Sequence, residues 1–191
     1  MAGETVAVPT YDFKTGTRTE KTHSRWVEPG QPIIIEGIHG LNDKLTREVE
    51  RSLKFKIYIS ALTMLNIDEH NRIPSTDGRL IRRMVRDYQF RGRDARKTIE
   101  TWQEVTQGEE DNIFPFQENA DAVFNSAHIF ELPVLKYYAE PLLRRISPSS
   151  PAFTEAKRML KFLDNFVPIS PDEIPPTSLL REFIGGSSFK Y

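Results

Sequence analysis

Ile33-Ile34-Ile35-Glu36-Gly37-Ile38 is the stretch on which the fold class turns. Three consecutive β-branched residues, preceded by the turn Glu28-Pro29-Gly30-Gln31-Pro32, have the makeup of a short strand buried on both faces of a parallel sheet. The run ends in a carboxylate, Glu36. Downstream, Leu41 to Leu53 places leucine and valine on one face at helical spacing, and Phe55 to Ile59 is a second apolar run. Strand, helix and strand in that order predict an α/β fold. A right-handed crossover would make the two strands parallel, with ligands expected beyond their carboxyl ends.

Upstream, Val6 to Phe13, a turn at Thr15-Gly16-Thr17 and a second extended stretch to about Val27 read as a β-ribbon flap over residues 5–27. Met1-Ala2-Gly3-Glu4-Thr5 runs almost directly into that ribbon, as an internal methionine or a truncation would. Downstream comes an irregular segment, Asn66 to Gly78, and then Arg82-Arg83-Met84-Val85-Arg86-Asp87-Tyr88-Gln89-Phe90-Arg91-Gly92-Arg93-Asp94. One or two helices, broken at Arg91-Gly92-Arg93, are expected there, with residues 66–107 forming a mobile lid. Asp94 is placed to cap a helix from Ala95 to about Gln107, ended by Gly108-Glu109-Glu110. Ala122 to Asn125 reads as a strand and Leu132 to Ile146 as a helix. The division is therefore residues 1–150 as the α/β part and 151–191 as a helical, proline-rich tail docking on it. That tail holds a helix from Thr154 to Phe166, four prolines between Pro168 and Pro176, and a helical turn from Leu179 to Ile184.

Composition narrows the partners. A net charge of -1 gives no global attraction to nucleic acid, so nucleic acid is not an expected partner and any basic surface is local. The chain has no cysteine, which excludes disulfides and thiolate catalysis. No apolar run approaches the ~20 residues a membrane helix needs, and a cytoplasmic location is expected. His23, His39, His70 and His128 have no metal-ligand spacing, and there is no Gly-x-Ser-x-Gly elbow.

The arginines carry the functional signal. A guanidinium offers a permanent charge in a forked geometry suited to phosphate oxygens. Nowhere in these residues is there a Gly-x4-Gly-Lys-Ser/Thr loop to cradle a triphosphate. Read from the residues alone, a solvated helix face with local pairs to Asp87 and Asp94 is the favoured reading of the cluster, and it is the reading kept for Arg82, Arg96 and Lys97.

Taken in order, "VPTYDF", "IIIEGI", "FKIYIS", "RRMVRDYQFRGRD" and "ENADAVFNS" resemble successive blocks of the uridine kinase and phosphoribulokinase branch of the P-loop nucleoside kinases. The resemblance is to the carboxyl-terminal half. It is nearest to long bacterial forms with a threonyl-tRNA-synthetase-like amino-terminal region, on "IDEHNRIPSTDGRLIRR", "IFPFQENAD" and "LLREFIGG". It implies a partial P-loop-kinase-like parallel sheet with flanking helices, a flap, an arginine-rich lid and a tail. It also implies ATP and Mg²⁺ as cofactors, a nucleoside or related small-molecule acceptor, and the upstream part of the same kinase as a partner. A partial sheet with an unpaired edge favours self-association into a homo-oligomer.

Site residues follow from the same resemblance. Glu36 falls where the family holds Mg²⁺ or its water, the alternative being a turn or helix cap. Arg83 and Arg93 fall on lid arginines facing the acceptor and the transferred phosphoryl group, and Arg86 and Arg91 on those nearer the nucleotide. Tyr11 matches a tyrosine of the acceptor pocket, with plain strand packing as the alternative. Two positions depart from the pattern: Gly16 replaces a histidine that contacts the pyrimidine, and Thr101 replaces a glutamine. The function implied is the lid and acceptor-binding portion of an ATP-dependent kinase that transfers the γ-phosphate to a sugar hydroxyl, inactive without the phosphate loop. The alternative is a non-catalytic nucleotide- or RNA-binding regulatory module.

Overall fold

Ser75–Phe90 forms α1, the centre of the core in the computed structural model, which describes residues 4–12 and 15–190. The sequence explains the helix. Pro74 supplies an extended N-cap that cannot continue a helix backwards, Asp77 sits in the first turn beside the positive end of the helix dipole, and two stripes then separate. Leu80, Ile81, Met84 and Val85 are at most 1% exposed, whereas Arg79, Arg82, Arg83 and Arg86 recur on another face. The helix ends where the N–H of Arg91 bonds the Asp87 carbonyl and Gly92 takes φ +63°, a left-handed conformation that favours glycine.

The apolar stripe of α1 packs against α2 (Ala95–Glu100), α4 (Glu131–Arg144) and α6 (Arg181–Ile184), while α5 (Phe153–Leu163) packs on α4 and α2. Val134, Leu135, Ala139 and Met159 are fully buried at the centre of this cluster. Each large aliphatic side chain so buried contributes roughly 1.5–3 kcal/mol relative to exposure. The tail is fastened by ions as well. Arg158 of α5 forks onto Asp77 of α1 at 2.7 and 2.8 Å and also holds Glu155, and these carboxylates raise its pKa further above the ordinary arginine value.

The sheet is small. β3 (Ile57–Ser60) and β4 (Ala122–Asn125) pair in parallel, Ile57 opposite Ala122 and Ser60 opposite Asn125, with α1, α2 and α3 (Trp102–Asn112) in the connection between them. Upstream, β1 (Val6–Asp12) and β2 (Thr17–Arg25) form the expected antiparallel ribbon, with an irregularity between Pro9 and Tyr11 and Gly16 at φ +72° in its turn. The ribbon packs chiefly on itself. Met1 to Gly3 and Phe13, which the sequence reading drew into this region, lie outside the described residues. The expected class stands: a mixed α/β fold with a small parallel sheet and several helices. No helix among the described residues is long and apolar enough to cross a membrane.

Several expectations are corrected. Ile33 to Ile35 is not a strand, and its three side chains are 50–91% exposed. A strand buried on both faces needs ladder partners and a layer above and below, and no described strand pairs with this run. Glu36 therefore does not sit at the end of a rigid strand. The helix read over Leu41 to Leu53 is two short 3-10 turns, Asp43–Thr46 and Arg51–Leu53, because of its apolar residues only Leu41 is buried. Ionic contacts hold that segment instead: Lys56 donates to Asp43 at 2.6 Å, and Arg51 pairs with Asp121, which also accepts the Lys56 N–H at 2.7 Å. Gly78 belongs to α1 and not to an irregular segment. The helix capped by Asp94 stops at Glu100, and α3 runs on past Gly108 to Asn112.

Candidate functional site

Arg79, Arg82, Arg83 and Arg86 are spaced at i, i+3, i+4 and i+7, so the α-helix sets them in one row. That row forms one wall of a cleft of about 230 Å³. The carboxyl end of β3 at Ser60, Trp102 of α3 and Phe183 of α6 are among the residues that line the rest. The cleft is therefore at the end of the parallel pair, where the crossover geometry places ligands.

The four guanidinium groups are held differently. Arg79 forks onto Glu109 of α3, one limb at 2.5 Å. Arg82 is buried and satisfied: it donates to Glu131 at 3.0 and 2.5 Å, to the Ser126 hydroxyl at 3.1 Å and to the Ser126 carbonyl at 2.7 Å. The expectation that Arg82 is a solvated surface residue is thus corrected. Its two limbs instead tie α1 to α4 and to the end of β4. Arg96 does behave as expected, exposed and paired with Glu100 one turn on.

Arg83 and Arg86 differ because each keeps a buried Nε with no hydrogen-bond partner. Arg83 lies 3.4 Å from Asp87, a carboxylate it shares with Arg91, whose Nη1 donates to Asp87 at 3.0 Å. Arg86 donates to Glu182 of α6 at 3.1 Å. Burial lowers the pKa of Arg83, and repulsion from Arg86, Arg91 and Arg93 adds to that against the attraction of Asp87. Four cations thus crowd two carboxylates, and an anion at Arg83 would relieve the excess charge. A buried donor without a well-made hydrogen bond is costly, and neither Nε makes one: that of Arg86 has no acceptor, and that of Arg83 has only the 3.4 Å ion-pair contact with Asp87.

Of the residues singled out from sequence, Arg83 and Arg86 line this cleft. Arg91 and Arg93 lie past the end of α1 and approach Arg83 from that side. Glu36 and Tyr11 are not in the cleft wall: Glu36 is exposed on the unpaired segment, and Tyr11 is half exposed on β1 opposite Arg18. Among the described residues no group of three His, Asp or Glu could hold a metal ion. Sequence reasoning missed Arg79 and Trp102 in the wall, although the helical spacing of the arginines was available to find Arg79. Glu182 and Phe183 carried no local signal, since only tertiary packing brings them to α1.

An arginine-walled cleft at the end of a parallel strand pair carries the kind of donors that suit phosphate oxygens. The chain belongs to the phosphoribulokinase / uridine kinase family, whose model matches residues 1–132. It is 34% identical over 122 residues to a uridine kinase of Macrococcus caseolyticus, an overlap that is 63% of this chain and 50% of the relative. With a uridine kinase of Bacillus pumilus it shares 35% identity over 102 residues, 53% of this chain and 40% of the relative. A uridine kinase of Clostridium perfringens matches at 35% over 105 residues, 55% and 42% of the two chains. The chain spans about half the length of the curated relatives it matches or somewhat less.

Proposed function

We propose that these residues form the phosphate- and acceptor-contacting portion of an ATP-dependent nucleoside kinase, which transfers the γ-phosphate to a sugar hydroxyl. The observation that carries the reading is the row of arginines, Arg79, Arg82, Arg83 and Arg86, along one wall of a cleft at the carboxyl end of β3. Forked donors fixed on a core helix suit the equatorial oxygens of a transferring phosphoryl group, whose charge they neutralise without reorganising. In this assignment Arg83 and Arg93 act on the phosphoryl group and Arg86 and Arg91 on the remaining phosphates. ATP would supply the γ-phosphoryl group, and its phosphate oxygens fit the hydrogen-bond donors present.

Mg²⁺ fits less well. Glu36 offers a single carboxylate on an exposed segment, and a phosphate-bridging Mg²⁺ takes one or two carboxylates with the rest of its shell from phosphate and water. Tyr11 is assigned to the acceptor side of the ribbon. The two departures from the family pattern have local structural reasons. Gly16 takes a left-handed φ in the ribbon turn, and the Thr101 hydroxyl donates to the Lys97 carbonyl at 3.0 Å where α2 gives way to α3. Those departures also favour a second reading, a nucleotide- or RNA-binding module without turnover.

Without a phosphate loop in these residues, positioning of the triphosphate is incomplete, and positioning supplies most of the catalysis in this reaction class. The purified 191-residue chain is expected to bind ATP in a salt-sensitive manner, read by titration calorimetry, and to phosphorylate neither uridine nor cytidine when Mg²⁺ is supplied. Turnover would contradict the partial-site assignment. Absence of ATP binding would contradict the cleft itself.

A further inference from the structure

Four carboxylates pair with the arginines of the cleft wall, and they are not equivalent. The side chains of Asp87, Glu109 and Glu131 are 1%, 7% and 3% exposed, whereas that of Glu182 is 38% exposed. Extracting one of the first three would strand a buried charge, which costs several kcal/mol. Glu182 can leave Arg86 for solvent at little cost, because a half-exposed pair is worth at most about 1 kcal/mol.

The helix that carries Glu182 has its own anchors. Leu180, Phe183 and Ile184 are buried, and Arg181 donates to the carbonyls of Pro171 at 3.0 Å and Ile174 at 3.1 Å. Gly185 then ends α6 at φ +86°. Phe183 stands in the cleft wall, its ring 5.0 Å from the Arg82 guanidinium and 5.8 Å from that of Arg86. The Glu182 carboxylate thus reaches a cleft cation from a backbone that does not need this contact to stay in place. It also comes from outside the segment that matches the family, which ends at residue 132.

We propose that Glu182 is a tethered competitor at the arginine cleft: its carboxylate neutralises Arg86 when the cleft is empty and swings into solvent when a di- or triphosphate oxygen takes its place. The inference rests on reading the cleft as a phosphate site. The tail thereby lowers the affinity of the cleft for anions and selects for ligands with enough charge to outcompete a single carboxylate. An inorganic monophosphate gains least from the exchange and a polyphosphate most.

Titration calorimetry of the 191-residue chain with inorganic tripolyphosphate at low ionic strength tests this. Glu182→Gln is expected to tighten binding about threefold to fivefold over the unsubstituted chain, the scale of a half-exposed ion pair. Glu140→Gln, which removes the same charge from a partly exposed cluster with Arg144 and Lys136 elsewhere, is expected to leave affinity unchanged. Glu182→Ala should reproduce the gain, and circular dichroism checks that both tail variants keep their helices. Equal affinity for Glu182→Gln and the unsubstituted chain, with binding still dependent on Arg83, would overturn the competitor role and leave the phosphate site standing. An equal gain from Glu140→Gln would overturn it in favour of net charge. No binding by any of these proteins would remove the phosphate site and the competitor together.

Discussion

The helical side and the sheet side of this chain solve burial differently. On the helical side, α1, α4, α5 and α6 cover one another, and side chains such as Leu80, Met84, Leu135 and Met159 are out of water. On the sheet side, Ile34 is 91% exposed, Phe55 72% and Ile59 61%, and the parallel pair β3 and β4 has no third described strand. An amphipathic helix satisfies its own backbone and needs only one covered face. A parallel strand needs neighbours for its backbone as well as cover for its faces. The same degree of apolar patterning therefore yields a finished core in one region and unpaired, solvent-facing chain in the other. The arginine cleft lies where the two regions meet, with its cations on the finished side.

The largest effect should come from breaking the helical side at its buried ion pair. Arg82→Ala would leave Glu131 buried without its cation, and a loss of ~3–5 kcal/mol in urea unfolding is expected. A loss below about 1 kcal/mol, the range of an exposed pair, would mean that Arg82 is solvated after all.

A smaller effect is expected at the ionic staple that holds the sheet side. The Arg51 guanidinium, and then the Lys56 N–H, hold the Asp121 carboxyl below its ordinary 3.8, and Lys56 does the same for Asp43. Because the folded values are depressed, this stabilisation is fully present above about pH 4 and is lost as pH falls through the lowered values. Hydrogen exchange should show the Lys56 amide losing protection in that acid range in the unsubstituted chain, and already unprotected at neutral pH in Asp121→Asn. Equal protection in the two proteins at neutral pH would show that the staple does not hold β3. The smallest effect belongs to the exposed run: Ile34→Ser should change unfolding stability by no more than about 0.5 kcal/mol. A loss like that of a core isoleucine would place Ile34 in a buried layer.

Much of the helical side was legible because its signals are local. Asp94 accepts the Lys97 N–H at 2.8 Å as an N-cap should, Gly92 breaks the chain after α1, and the tail helix and its final turn fall within a few residues of expectation. The ribbon and the strands at Ile57 and Ala122 were also legible, from alternation and from short apolar runs. Ile33 to Ile35 was misread because strand propensity describes a fit to neighbours and not a property of three residues. Leu41 to Leu53 was misread for a related reason, since helical spacing without a covering surface buries little.

At the site, Arg83 and Arg86 were legible through residue type and resemblance. Arg82 was misassigned because nothing in its own sequence neighbourhood reveals Glu131, 49 residues away, as its partner. Glu182 lies 96 residues from Arg86, a pairing no local rule could supply.

The central claim is that the arginine face of α1 is a phosphate site. The direct test is a calorimetric titration of the 191-residue chain and its Arg83→Ala variant with inorganic tripolyphosphate at two ionic strengths. Binding is expected to weaken with salt and to fall by about tenfold or more in the variant, the worth of a charge-assisted hydrogen-bonded contact. Equal affinity in the two proteins, or binding indifferent to salt, would contradict the claim.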